Sequence, residues 1–549
     1  MTLDRALPWF RTGNGPWFLA ALIAALLAAA AYVNGLGGEF VLDDRAFLVD
    51  NPQLSEPHDF AYFFTGNFYS YSNLPDAYSA SYRPLVFAVL WLGNYLWPGS
   101  ALALHLFSLS LHIAATLLVL RVISRLIPDI SAPAAGMGAC FFAVHPVHVE
   151  AVSWILAFPH PMATVLILAS YLFHDHHQRT KSIHTFIQAV FFFLIALLTV
   201  ETAIGFPILI LAFDWIRHGR PRLLLAAPYF VLLAFYFVVR NAVLGEATPL
   251  VFSDLDAWLR FPAFLAEYLR HLILPYPQPL YLSMPSGWQS SLASGLAVGS
   301  LTIFFVFLFL KRVRDRRALL FAAAWLFATL LPPLAASFNP TPLFALRSLY
   351  MPSVGIALLV ACLAGTFNFM GNRVVLAAVV AFLLLPLGIT IDANRDWQDN
   401  ERVYRRIITS NPEHFAGYHG LGGYLARTGE TQAAVGQYEK SVALAGLKDR
   451  AGPLEALGLL LGQSGDSTRS LDIYRQLTVL EPNRSSAWVG VGNNLWYLGR
   501  LPEAADAYRR ASAADADNRE ACYNLVLVLE QLGRTEEAAR YANCATRQP

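Results

Sequence analysis

The sequence is poor in charge: Asp, Glu, Lys and Arg make up 14% of its 549 residues, against about 25% in soluble domains. With 56% hydrophobic residues, that deficit excludes an ordinary water-soluble enzyme. A formal net charge of +1 leaves no basic surplus for gripping a nucleic-acid backbone. Cysteine is scarce too. Cys140, Cys362, Cys522 and Cys544 have neither CxxC spacing nor an adjacent His pair, which argues against a structural zinc or a disulfide framework. Lysine occurs only at Lys181, Lys311, Lys440 and Lys448, so arginine carries almost all the positive charge.

What is abundant is apolar sequence. Stretches of roughly 17 to 25 apolar residues match the hydrocarbon thickness of a bilayer when helical, because a helix satisfies its own backbone groups in lipid. About eleven are predicted, at 16–36, 102–127, 134–150, 154–173, 185–200, 202–216, 222–244, 288–310, 318–336, 349–368 and 374–391. The first follows Arg5 and Arg11 and is long enough for a retained anchor rather than a cleaved signal. Lys and Arg collect on cytoplasmic loops. With the N-terminus inside, the basic knots Arg121/Arg125, Arg179/Lys181, Arg217/Arg220/Arg222, Lys311–Arg317 and Arg373 all fall on that side, provided 84–97 does not cross. The expected domains are therefore a membrane domain over 1–391, with an outer loop at 38–83, and an extracytoplasmic domain over 392–549.

The last third changes character. Turn glycines recur at Gly429, Gly465, Gly499 and Gly533, spaced by 36, 34 and 34 residues, and Tyr438, Tyr474 and Tyr508 follow the first three by nine. This period and its Ala-rich helix contacts match the tetratricopeptide repeat, about four copies of it. Such helix pairs stack into an α-solenoid with a concave groove suited to extended peptides. Residues 401–412 read as the second helix of an incomplete leading repeat. Cys522 and Cys544 fall on successive helices of the final repeat, where small core residues explain them more simply than a disulfide. The fold class is all-α: a polytopic helix bundle followed by a solenoid.

Ionisable residues cluster where the outer membrane edge is expected. FVLDD places Asp43 and Asp44 just beyond the first span; adjacent carboxylates there can raise one another's pKa and take a proton from a bound hydroxyl. A loop start or helix cap is the plainer explanation of any Asp-Asp pair. SASYRPL contributes Arg83, HPVHVE contributes His145, His148 and Glu150, and Glu201 and Arg347 begin later spans on the same side. Charges at such depth are costly unless paired or functional. His145 and His148 are three apart, so a divalent metal is compatible with them, although Pro146 disturbs the shared helix face and a polar helix end accounts for them as well.

FVLDD at 40–44, SYRPL at 81–85, HPVHVEAVSW at 145–154, RSLYMPSVG at 347–355 and the terminal repeats occur in that order. Together they resemble the transmembrane and tetratricopeptide repeat-containing O-mannosyltransferases and their bacterial relatives, within the GT-C class of membrane glycosyltransferases. The resemblance implies transfer of a sugar from a polyprenyl-phosphate donor, with no nucleotide, to an acceptor hydroxyl on the outer side, protein Ser/Thr included. It implies Asp43 as catalytic base with Asp44 as positioner. It implies donor phosphate or sugar binding by Arg83, His148, Glu150, Glu201 and Arg347; arginine chemistry at the membrane edge adds Arg240 and Arg270 as weaker candidates. The chain departs from the family pattern at Val200 and Leu346, where charged residues are usual.

The competing expectation is a non-catalytic membrane scaffold that uses its repeats to assemble envelope proteins. A pyrophosphate-glycan ligase is disfavoured because 337–348 is short and carries only Arg347, and a transporter because few ionisable residues fall mid-span. The Arg-rich composition suggests a bacterial inner membrane with periplasmic repeats.

Overall fold

The computed structural model describes residues 15–72, 81–245, 255–283, 316–338, 343–366 and 373–546, single positions within these ranges aside. Among the described residues the regular structure is helical apart from a two-residue antiparallel pairing of Leu282–Ser283 with Leu343–Phe344. Its contacts divide it after Val403, so residues 392–403 group with the apolar helices.

The first unit comprises α1 (Gly15–Tyr32), α2 (Pro84–Leu96), α3 (Ala101–Leu126), α4 (Ala132–Val144), α5 (Val149–Ser153), α6 (Pro159–Thr180), α7 (Ile183–Leu197), α8 (Phe206–His218), α9 (Leu223–Leu244), α10 (Leu255–Ile273), α11 (Arg316–Ala335), α12 (Ser353–Ala364) and α13 (Arg373–Ala393). Six described helical stretches are long and apolar enough to cross a bilayer, or seven if the bent pair Ala132–Val144 and Pro146–Ser153 crosses as one. The segments expected at 185–200, 202–216 and 349–368 form helices of 15, 13 and 12 residues. The one expected at 288–310 lies almost wholly outside the described residues.

Lipid supplies no hydrophobic force between helices, so close approach of small residues must hold them together. Helix α1 buries Ala20, Ala24, Ala28 and Ala31 along one stripe, and a Cβ added at Gly136 of α4 would meet the Ala20 Cβ at 3.0 Å. Gly205, just before α8, sits tighter still: a Cβ there would lie 1.9 Å from the Ala328 carbonyl oxygen of α11. Buried polar groups add ties between helices. His112 bridges the Tyr350 hydroxyl at 2.7 Å and the Ala143 carbonyl at 3.0 Å, and the Asn394 amide donates to the Ala31 carbonyl at 2.6 Å.

The second unit holds most of α14 (Asn400–Ser410), then four helix pairs: α15 (Phe415–Arg427) with α16 (Thr431–Leu444), α17 (Ala451–Gln463) with α18 (Ser467–Leu480), α19 (Ser485–Tyr497) with α20 (Leu501–Ala514), and α21 (Arg519–Gln531) with α22 (Thr535–Thr546). The recurring glycines sit between paired helices at φ values from +73° to +88°, a region L side chains avoid. The recurring tyrosines pack on a second glycine: Cβ atoms at Gly422, Gly458 and Gly492 would fall 2.8, 2.9 and 2.5 Å from the rings of Tyr438, Tyr474 and Tyr508. Tyr404 of α14 covers Gly420 of the following helix, as Tyr474 covers Gly490, the contact that the second helix of a leading repeat makes with the next repeat. Cys522 and Cys544 are disulfide-bonded, their Cα atoms 5.9 Å apart, instead of the separate core residues expected. Antiparallel pairing of α21 with α22 brings positions 22 apart side by side.

Candidate active site

The loop after α1 is shaped by one residue in an unusual conformation. Leu42 lies at φ +52°, where a residue with a branched side chain is strained. Neighbouring groups hold it there. The Asn400 side chain accepts from the Leu42 N–H at 2.9 Å and donates to the Phe40 carbonyl at 2.9 Å, and the Glu39 N–H donates to the Gln398 carbonyl at 2.8 Å. This kink separates the fates of the two adjacent acids. Asp44 is fully buried, with one carboxylate oxygen accepting the Val41 N–H at 3.0 Å and the other the Leu156 N–H at 3.1 Å. Asp43 stays partly exposed.

Burial raises both carboxyls. It pushes Asp43 above the ordinary aspartate range while the Arg347 charge draws it back down. It drives Asp44 well above that range, against the lowering from its two backbone donors and with a further raising contribution from Asp43. Asp44 therefore clasps the loop after α1 to the segment after α5, and Asp43 is the acid of the two that stays accessible.

Two ion pairs complete the cluster. Glu150 of α5 is almost wholly buried; its carboxylate takes the backbone N–H of Arg347 at 3.1 Å and also pairs with the Arg347 guanidinium. That guanidinium lies 5.0 Å from the centre of the Trp154 ring. Arg83, which caps α2, gives Nε and Nη2 to Glu201 at distances of 2.7 to 3.2 Å, leaving Nη1. Both arginines keep a partly exposed edge, 23% for Arg83 and 30% for Arg347. Arg240 acts electrostatically on Glu201, whereas Arg270 is paired with Glu267 at 2.6 Å.

Arg83, Asp43, Arg347 and Glu201 all act electrostatically on Tyr69, a half-buried phenol whose pKa burial raises. His160, in the first turn of α6, is buried within reach of both Arg347 and Arg83. The sequence offered no spacing rule that would single out Tyr69 or His160; Tyr69 is one of several aromatics in a run, and His160 follows a phenylalanine and a proline.

His148 sits elsewhere. It is fully buried, bonds the Ser353 hydroxyl at 2.7 Å and packs on Phe142 and Tyr350 with ring centres 4.5 Å away. His145 bonds the Leu272 carbonyl at 3.1 Å. Among the described residues no three His, Cys, Asp or Glu side chains converge as a metal would require, so these histidines do not fit a metal. Val200 and Leu346 are both buried, apolar neighbours of the two ion pairs.

Residues 492–548 match the tetratricopeptide repeat model. Relatives match on a longer scale. A protein O-mannosyl-transferase of Caenorhabditis elegans is 25% identical over 446 residues, 77% of this chain and 62% of that protein. Protein O-mannosyl-transferase TMTC3 of Mus musculus is 22% identical over 611 aligned residues, 94% of this chain and 66% of its own length. TMTC4 of Homo sapiens is 22% identical, covering 79% and 67%. The chain thus spans about two thirds of the length of these relatives. Among solved structures, MamA overlaps 28% of this chain and 88% of its own, at 19% identity and a TM-score of 0.25. Apolar helices, acidic outer loop and terminal repeats taken together, the chain resembles the TMTC protein O-mannosyl-transferases.

Proposed function

We propose that the chain is a membrane glycosyltransferase that moves a sugar, mannose by its resemblance, from a polyprenyl-phosphate donor to an acceptor hydroxyl on the extracytoplasmic side. The observation that carries the reading is Asp43: a part-exposed carboxylate set on a strained kink at the end of an apolar helix, with a raised pKa and a guanidinium acting on it. A base works best when its pKa approaches the working pH. Asp43 takes the proton of the acceptor hydroxyl as the hydroxyl oxygen bonds to the anomeric carbon. The bond from that carbon to the donor phosphate breaks, and its electron pair stays on the lipid phosphate. That leaving group is already ionised and needs no acid. Arg83 and Arg347 are each tethered by a glutamate, so their remaining N–H groups are pre-oriented to hold the charge growing on the phosphate. Tyr69 stands among them as a group that can hydrogen-bond sugar or phosphate.

The outer placement draws support from two independent features. A disulfide in the last repeat suits an oxidising compartment, and the basic helix ends lie away from the Asp43 cluster. A bacterial inner membrane with periplasmic repeats fits both. The repeats would then present a protein or glycan acceptor to the transfer site. The test is transfer of mannose from polyprenyl-phosphate mannose to Ser/Thr peptides by the purified full chain. Wild type is expected to turn over and Asp43→Asn to lose at least about 100-fold. Turnover retained by Asp43→Asn would remove Asp43 as base; no transfer by wild type to any hydroxyl acceptor would leave the scaffold reading in its place.

A further inference from the structure

The helices that carry the Asp43 cluster at one end enclose a different cavity at the other. His160 lies in the first turn of α6 and Arg179 in its last; Glu201 immediately precedes α8 and Arg217 lies in its last turn. Helix α6 has 22 residues, which at 1.5 Å each is about 33 Å, the thickness of a bilayer core. At this far end the last turns of α3, α6 and α8 and the first turn of α11 surround a cavity of about 530 Å³.

Its lining is one-sided. Arg125, Arg179, Arg217 and Arg317 reach it from four different helices, and no acid is among its described lining residues. One carboxylate stands behind: Asp175, with its side chain only 3% exposed, pairs with Arg179 at 2.9 Å and with Arg217. Four guanidinium groups thus converge on one basin. Basic loops that merely obey the positive-inside rule need not converge, because each arginine is better solvated alone. These converge, and two are held in place by a buried acid. The floor is apolar, with Phe213 and Phe321 in it and the Arg217 guanidinium 5.4 Å from the Phe213 ring centre. Trp215, 64% exposed on the same turn of α8, is the residue type that marks the membrane–water interface.

We propose that this basin seats the phosphate of an anionic phospholipid headgroup in the leaflet opposite the Asp43 cluster. Arginine suits a phosphate through its paired donors, and the aromatic floor suits the glycerol and first methylenes that a free phosphate lacks. The site asks for no chemistry, and it stands or falls independently of the transfer reaction.

The test is lipid binding to the full chain in detergent, read by native mass spectrometry. Wild type is expected to bind phosphatidylglycerol at least ~10-fold more tightly than phosphatidylcholine, because basic residues near a headgroup favour anionic lipid. Equal binding of the two by wild type overturns the proposal without need of any variant. Displacement of phosphatidylglycerol by an equal concentration of inorganic phosphate also overturns it and assigns the basin to soluble phosphate. Arg125→Gln with Arg317→Gln, which spares both partners of Asp175, is expected to abolish the preference. Arg220→Gln with Arg222→Gln, outside the lining, is expected to keep it. A preference that survives the first pair, or falls as far with the second, overturns the proposal.

Discussion

Replacing Asp44 by alanine tests the division of labour between the adjacent acids. Both oxygens of Asp44 are engaged, by the N–H groups of Val41 and Leu156, and the residue is fully buried. Alanine leaves two buried donors without acceptors, at about 1–3 kcal/mol each. It also removes the Val41–Asp44 tie that spans Leu42 at φ +52° and leaves Asn400 to hold the strained kink with less help, so the loop gains an incentive to relax. Each of the two amides is then expected to exchange its hydrogen roughly 5- to 150-fold faster, one decade per 1.4 kcal/mol, while amides in the repeats are unchanged. Loss of the kink moves Asp43, and a displacement of order 1 Å costs about 100-fold in rate. Asp43→Asn should show the converse, a comparable loss of transfer with exchange at Val41 and Leu156 as in wild type. Hydrogen exchange by mass spectrometry on peptides covering these two amides reads the first effect, and the transfer assay the second. Unchanged exchange in Asp44→Ala would refute the clasp; faster exchange in Asp43→Asn would refute the separation of roles.

Three other outcomes follow from the geometry. Burial raises the Asp43 carboxyl and Arg347 lowers it; because the base works deprotonated, kcat/KM should fall on acidification at a pH above the ordinary aspartate range, and Arg347→Gln should move that limb further up in pH. Gly205→Ala places a Cβ 1.9 Å from a backbone oxygen of α11, so the helices must separate, and the protein should lose about 1–3 kcal/mol, seen as a lower inactivation temperature in detergent. Cys522→Ser with Cys544→Ser opens a link across 22 positions, worth roughly 3 kcal/mol on chain-entropy grounds, and should speed proteolysis of α22 while sparing transfer to a small acceptor.

Much of the architecture is legible because it is written locally. The turn glycines at positive φ recur in all four helix pairs, and the tyrosines nine residues later, each packed on a second glycine, recur in the first three. Apolar runs mark helices for the same reason that a bilayer accepts only helices. Their number as full spans is less legible: an apolar run such as 202–216 breaks at Glu201–Gly205 and continues as a helix of 13 residues, because Gly205 must lie against α11. Candidate charges are legible too, since Asp, Glu and Arg at a membrane edge demand an explanation.

What the chain's order of residues determined by itself is the kind of molecule: helices for lipid, a repeat at period 34, acids after the first helix and arginines at the opposite helix ends. Each rests on neighbours within a turn or two, where backbone geometry leaves little choice. Only the tertiary structure decided partnership. Arg83 met Glu201 across 118 positions, Arg347 met Glu150 across 197, and Asp44 turned inward to Leu156 across 112 while its neighbour stayed accessible. It likewise buried His148 against Ser353 and joined Cys522 to Cys544. No local pattern encodes such choices, because they are set by which helix ends the packing of small residues brings together.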